Sequence, residues 1–371
     1  MWLTPCELFT PYYSNILANF VSSSMKAFDN WSKVQSSSET FEIVELGGGR
    51  GTNANALLNH LRENHQETYD RLDSYTIFDT SPTLHGLQRE FLIGSSDDLN
   101  NDESKVHADK IKLVNVDLMN VAEGSSPFLD PTDKPTAVIA LELLDNLPHD
   151  KIGMCMSSRD ILQVEVHPLE SSDPAARSHH SEIFTPLNDK LLQDILSIAP
   201  HLYAPTVSQG PRWVPTVALG VLMKIFECRP NATVAFADFD WLPAPDVTDS
   251  LKLAIAERAL GDPLVTDMTG KDHSCYLSSP PDALCDILFP TDFGRLAAFV
   301  NEFCATKKKS RGKFPITVSS LKQNEFLLKH GAHEVEKTKS WLTGYSPLIH
   351  DFGNCSVLEV VPRSNSKKST K

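Results

Sequence analysis

The chain has 371 residues, of which 41% are hydrophobic and 22% charged, enough for one large domain with insertions or two ordinary ones. Its net charge of −14 argues against broad electrostatic binding to nucleic acid or anionic lipid, and suits plain solubility or a basic partner. No run reaches the ~18 apolar residues of a membrane span. The seven cysteines are scattered without a C-x-x-C pair, so neither a zinc site nor a disulfide framework is expected and a reducing compartment fits. The stretch from Met1 to Phe28 has one Lys, no Arg and no long apolar core, so it reads as neither secretory signal nor transit peptide.

The first half alternates short apolar runs with helical patterns, which predicts a parallel α/β sheet. Strands are expected at Phe41 to Leu46, Tyr75 to Phe78, Ile111 to Val114, Ala137 to Leu141 and, as the fifth, Ile161 to Val166. Helices are expected at Asn53 to Glu63, with Thr52 as cap, and at Leu84 to Leu92. Such a doubly wound sheet holds its ligand beyond the carboxyl ends of its strands. In the second half, Leu191 to Ile198, Thr216 to Phe226, Leu251 to Leu260, Phe293 to Phe303 and Ser319 to Lys329 read as helices, with Gly331 at a C-cap. Thr233 to Phe239 and Ser356 to Val361 read as buried strands. Gly94 to Ser104 and Leu169 to Ser181 read as loops, and Lys307, Lys308, Lys309, Arg311 and Lys313 as a basic, solvated loop. The resulting division is a helical lead-in over 1–40, a core over 41–240, a mainly helical insertion over 241–350, a last core strand over 351–363 and a disordered tail over 364–371.

The end of the first strand carries glycines at alternate positions, Gly47, Gly49 and Gly51, which allow a tight turn and close backbone approach to a ligand. The helix that follows offers free N–H groups. A nicotinamide fingerprint would need glycine or alanine where Thr52 stands, and an acid ~20 residues on; here the acid is Asp79. A carboxylate there accepts hydrogen bonds from two ribose hydroxyls, or else caps the helix entered through Pro82. The pattern E-L-G-x-G-x-G resembles motif I of class I methyltransferases. That resemblance implies S-adenosyl-L-methionine as cofactor, with Glu45, Gly47, Gly49 and Gly51 around its methionine and ribose portions, Asp79 on the ribose and Asp117 near the adenine. From the residues alone, Asp117 reads rather as an ordinary strand-end turn residue.

Further landmarks narrow the resemblance. Glu45-Leu46-Gly47-Gly48-Gly49-Arg50-Gly51-Thr52 is similar to the E-L-G-P-G-R-G-T signature of the MidA family, which includes the mitochondrial complex I assembly factor 7 proteins. Thr4-Pro5-Cys6-Glu7-Leu8-Phe9, Leu141 to Pro148, Asp286 to Phe293 and the helix with Gln323, Phe326, Leu327 and Gly331 resemble other motifs of that family in the same order. The departures are Gly48 for Pro, Leu141 for Asn, Asp238-Phe239-Asp240 for D-Y-G, and a start at Met1-Trp2-Leu3-Thr4 that leaves out the family's preceding segment. The family implies a class I methyltransferase fold with a helical insertion, methylation of arginine on a protein subunit of respiratory complex I, and mitochondrial placement, with the cytoplasm as alternative.

Methyl transfer to arginine asks for carboxylates that grip the planar guanidinium and orient the attacking nitrogen. Glu142 and Asp145 follow the fourth strand at the expected ligand edge. Glu142 is expected as the clamp and Asp145 as its second, unless Asp145 or Asn146 caps a helix entered through Pro148. Arg50 is expected to pair with Glu45, reach the cofactor carboxylate or lie on the surface. His149 is the nearest histidine, but no H-x-x-x-H pair supports a metal and no G-x-S-x-G elbow supports covalent catalysis. The expected partners are a protein substrate and, as an oligomeric option, a second copy; metal, membrane span and nucleic acid are not expected. Two other classes stand beside this reading: a methyltransferase-fold binding or assembly factor with weakened turnover, and a nicotinamide oxidoreductase.

Overall fold

Six consecutive buried residues, Phe41–Leu46, form the strand β1 inside a seven-stranded sheet. The computed structural model describes residues 5–32, 40–94, 106–168, 180–206, 210–243, 261–273, 276–278, 285–307 and 316–363. The remaining strands are β2 (Leu72–Asp79), β3 (Ile111–Asn115), β4 (Thr136–Leu141), β5 (Asp150–Met154), β6 (Ile161–Pro168), β7 (His180–Pro186), β8 (Arg212–Val214), β9 (Ala232–Phe239), β10 (Leu264–Asp267), β11 (Asp272–His273), β12 (Cys285–Leu288), β13 (Ile316–Lys322) and β14 (Cys355–Pro362). The helices are α1 (Pro5–Leu8), α2 (Tyr12–Ser32), α3 (Thr52–Asn64), α4 (Gln66–Arg71), α5 (Pro82–Leu92), α6 (Leu118–Glu123), α7 (Lys190–Ile198), α8 (Pro200–Tyr203), α9 (Thr216–Cys228), α10 (Phe293–Lys307), α11 (Gln323–Lys337) and α12 (Pro347–His350).

The large sheet runs β13-β14-β9-β4-β1-β2-β3. Its strands from β3 to β9 are parallel, while β14 is antiparallel to both neighbours. Alternation along the strands sorts the core into two layers. Val44, Leu46, Val138, Ala140, Val234 and Phe236 point to one side, where α9 and α10 bury Leu219, Leu222, Leu296 and Phe299. Ile43, Ile77, Ala137, Ile139, Ala235 and Ala237 point to the other, against Leu57 and Leu61 of α3, Ile16 and Phe20 of α2 and Phe326 of α11. Burial on both faces explains why these strands read as near-continuous apolar runs. Two smaller antiparallel sheets, β7-β6-β5-β8 and β11-β10-β12, are built from the segments between β4 and α9 and between β9 and α10.

Several sequence expectations change here. Ile161 to Val166 is a strand, but it belongs to the small four-stranded sheet; the fifth parallel strand is β9. Half-buried residues along β6 lack the burial that a central strand needs. Within 241–350 the described residues hold the strands β10, β11, β12 and β13 beside the helices α10, α11 and α12, and β13 joins the large sheet. Ser319 begins no helix: Ile316–Lys322 pairs with β14, and the helix starts at Gln323, where the Glu325 carboxylate takes the Lys322 backbone N–H at 3.1 Å. Gly331 breaks α11 with non-helical backbone (φ −159°, ψ 44°), so one helical stretch ends there as expected and a second follows across a kink; a Cβ on it would meet Ile16 of α2 at 2.3 Å. Thr52 is the first helical residue, and Gly51 occupies the cap. No helix starts at Pro148; a short 3₁₀ turn over Leu144–Asn146 leads to β5. The expected helix Leu251 to Leu260, most of the Gly94 to Ser104 and Leu169 to Ser181 loops, the basic loop beyond Lys307 and the tail from Ser364 lie outside the described residues.

Candidate active site

The glycine turn lies at the carboxyl end of β1, where Gly47 N donates to the Phe78 carbonyl of β2 at 2.8 Å and Gly51 N closes on the Gly48 carbonyl at 2.9 Å. Gly47, Gly49 and Gly51 have φ of 70°, 53° and 86°, a left-handed region that side chains resist. A Cβ on Gly51 would meet Leu92 at 2.7 Å, whereas one on Gly49 would meet no atom within 4 Å. Gly51 therefore faces α5, and the backbone at Gly49 faces open space. Arg50 between them is exposed.

Glu45 does not extend toward that space. Its Oε1 accepts from Asn53 Nδ2 at 2.7 Å and its Oε2 from the Tyr75 hydroxyl at 2.9 Å. Burial raises its pKa above the usual value against those two bonds. It braces the turn from below.

Asp79 ends β2 beside the turn. Its Oδ1 accepts from Ser81 N at 2.9 Å, while Ser81, not Asp79, caps α5 by accepting from Leu84 N at 3.2 Å. Its Oδ2 accepts from Gln88 Nε2 at 3.3 Å, and the same amide nitrogen donates to the Gly49 carbonyl at 2.7 Å. Asp117 is exposed and caps α6 by accepting from Met119 N at 2.9 Å. It lies after β3 at the same edge, and its observed bond is that of a turn residue.

The next strand end carries the acidic cluster. Glu142 has φ of 50°, unusual for a residue with a long side chain, and its N–H donates to the Ala237 carbonyl of β9 at 2.9 Å. Burial first, then the charges of Asp145 and Glu7, pushes its carboxyl up to about 8. Cys6 and Tyr13 of the N-terminal helices, Gln323 of α11 and Asp238 of β9 line the crevice around it. The Tyr13 hydroxyl donates to Gln323 Oε1 at 3.3 Å, and burial drives the Tyr13 and Cys6 pKa values up, the latter to about 12, so both stay neutral.

Asp145 is 2% exposed and turned inward, accepting from Asn146 Nδ2 at 2.7 Å. Asp238 is 1% exposed, and its Oδ2 accepts from the backbone N–H groups of Leu144 and Asp145 at 2.6 and 3.2 Å. Burial raises both carboxyls, and the charge of Asp145 raises that of Asp238 further. Asp238 thus shapes the loop that presents Glu142. The pair Glu142–Asp145 expected from sequence is brought to one place, but Asp145 sits behind Glu142 rather than beside it. His149 is neutral, with burial lowering it to about 4, and stacks on Phe289 at 4.2 Å.

Sequence reasoning missed Asp238, Tyr13 and Gln88. A signal existed for Gln88 alone: it lies four residues before Leu92 on the inward face of α5, where a polar residue stands out. Among the described residues no group of three or more His, Cys, Asp and Glu side chains is placed to hold a metal ion, and no helix is long and apolar enough to cross a membrane.

The groups present fit S-adenosylmethionine. Open space at Gly49, an acid at the end of β2 and a buried Gln88 Oε1 without a partner match a nucleoside that brings hydroxyl donors. Residues 24–310 match the family described as "Putative S-adenosyl-L-methionine-dependent methyltransferase". No curated protein matches the chain. A Burkholderia thailandensis protein solved with S-adenosyl-homocysteine bound is similar in fold, with a TM-score of 0.58 and 16% identity over 97% of this chain and 78% of that one. A second structure from the same organism gives a TM-score of 0.60 and 18% identity over 96% and 80%. The chain belongs to the S-adenosylmethionine-dependent methyltransferases and carries their class I fold.

Proposed function

We propose that the chain methylates an arginine guanidinium of a protein substrate, with Glu142 as the group that grips it. The observation that carries this reading is the setting of Glu142: a partly buried carboxyl at the end of β4, one strand from the glycine turn, with the acids Asp145 and Glu7 acting on it. Such a pocket is completed by a cation, and a guanidinium offers the planar donors a carboxylate matches. Its charge lowers the Glu142 pKa and turns the carboxyl into the ionised form.

Bound S-adenosylmethionine supplies the electrophile, a methyl carbon on a sulfonium. As the guanidinium nitrogen forms its bond to that carbon the C–S bond breaks, and one N–H proton must leave. The carboxylate that the guanidinium has ionised is placed to receive it. Asp238 and the Leu144–Asn146 turn hold Glu142 in place, and Tyr13 with Gln323 walls the crevice with neutral groups. Asp79 and the backbone at Gly49 are assigned to the ribose end, with Glu45 bracing the turn and Asp117 near the adenine.

The ordered MidA-like motifs support a respiratory complex I subunit as substrate and the mitochondrion as location. The test is calorimetric binding of S-adenosylhomocysteine, followed by methylation of complex I subunits with labelled cofactor and mass-spectrometric assignment of the modified residue. Glu142→Gln is expected to keep cofactor affinity within about twofold and lose about a hundredfold or more in turnover. Binding without Glu142-dependent turnover selects an assembly or binding factor instead. The apolar Leu141, which lines the same crevice, is what favours that second reading.

A further inference from the structure

Gln88 is a polar side chain at 0% exposure on the inward face of α5. Both groups facing its amide nitrogen, the Gly49 carbonyl at 2.7 Å and Asp79 Oδ2 at 3.3 Å, are acceptors. A flipped amide would set three acceptors against one another, so the orientation is fixed by chemistry. The opposite end, Oε1, is buried with no hydrogen-bond partner among the described residues. A buried polar atom in that state is costly and calls for a donor.

We propose that Gln88 is a positioning residue for the ribose end of the cofactor site: it ties the Asp79 carboxylate to the glycine turn. The inference rests on Asp79 as the ribose acceptor. One amide nitrogen spans the two elements that must keep a fixed separation for a nucleoside to bridge them, the loop after β1 and the end of β2. Without it, Asp79 Oδ2 and the Gly49 carbonyl both lose this donor, and Asp79 keeps only its bond from Ser81 N. The same helix also packs Leu92 where a Gly51 side chain would lie, so α5 secures the turn at two points.

The test is calorimetric affinity for S-adenosylhomocysteine in the full chain, with thermal melting of each unliganded variant alongside. Gln88→Met keeps the volume and removes both polar atoms; Gln88→Glu keeps the shape but cannot donate to Asp79 when ionised. Each is expected to weaken binding about tenfold, the worth of one hydrogen bond to a charged group. Asp79→Asn is expected to weaken it more, and Gln88→Met added to Asp79→Asn to add less than about twofold, because Gln88 acts through Asp79. A purely structural role would lower the melting temperature and give multiplicative losses. Unchanged affinity in both Gln88 variants, or multiplicative losses in the double variant, overturns the proposal. Unchanged affinity in Asp79→Asn overturns the ribose assignment beneath it, which separates the two failures. If Gln88→Met does not fold, Gln88→Glu and its double variant with Asp79→Asn give the same readout.

Discussion

Replacing Glu142 with Gln should reshape the dependence of stability on pH. Burial and two acidic neighbours lift the Glu142 carboxyl from the usual 4.5 to about 8 in the folded chain. A raised carboxyl contributes its full stability below the unfolded value and loses it as pH climbs through the folded value. Each tenfold change in proton affinity between the folded and unfolded chain corresponds to about 1.4 kcal/mol. The native chain is therefore expected to carry a penalty of about 1.5 kcal/mol at pH 5.5 that grows to about 4.5 kcal/mol at pH 8.5. Glu142→Gln removes the titration while leaving the shape, so its stability relative to the parent should rise by about 3 kcal/mol across that window. The pH-independent offset of the substitution cancels in the slope. Urea unfolding at pH 5.5, 7.0 and 8.5 measures it, with Asp145 and Asp238 common to both proteins. Parallel curves, agreeing within about 0.5 kcal/mol at all three values, would refute the claim that Glu142 is held protonated by its surroundings.

The glycine turn separates stability from binding. Gly51→Ala, with left-handed φ and Leu92 at 2.7 Å from the new Cβ, should cost about 2–4 kcal/mol in urea melts. Gly49→Ala, with φ of 53° and open space around its Cβ, should cost about 1 kcal/mol yet weaken S-adenosylhomocysteine binding about tenfold or more by calorimetry. Asp238→Ala should lose about 3 kcal/mol, since the Leu144 and Asp145 N–H groups lose their acceptor, and Asp238→Asn should recover most of it. Arg229→Met should cost about 3–5 kcal/mol by leaving Glu42, its partner inside the sheet, buried without the guanidinium; Glu42→Gln in the same background should restore part of that. If Glu142 grips arginine, KM for an arginine substrate should fall as pH rises toward 8, and this dependence should vanish in Glu142→Gln.

The parallel half of the fold was legible because physics repeats there. Val44 and Leu46 against one layer and Ile43 against the other leave no polar position in the strand except the braced Glu42 and Glu45. The glycine turn, Asp79 and Glu142 follow from where strands end. Of the antiparallel parts, Ser356 to Val361 and Ile161 to Val166 were legible as strands, but their pairing and the edge strand β13 were not. Ile316–Lys322 is an edge strand of half-buried and exposed residues, and its pairing with β14 is made across more than thirty residues of chain. Asp238 read as a variant motif because nothing local shows that its acceptors serve Leu144 and Asp145, distant in sequence. Gln88 left a local sign, a polar residue on the inward face of an amphipathic helix, but nothing in sequence tied it to Asp79 and Gly49.

The placement of β14 carries a consequence for synthesis. It lies between β9 and β13 yet follows both in the chain, with more than a hundred residues after β9. On a ribosome adding about 5–20 residues per second, β9 waits on the order of ten seconds with one edge unpaired. During that interval β3, β2, β1, β4 and β9 can already assemble the nucleoside end of the site. The nascent chain is thus exposed to strand-edge association until its final strand emerges. Chaperone dependence should follow the timing of that strand rather than the overall stability of the finished protein.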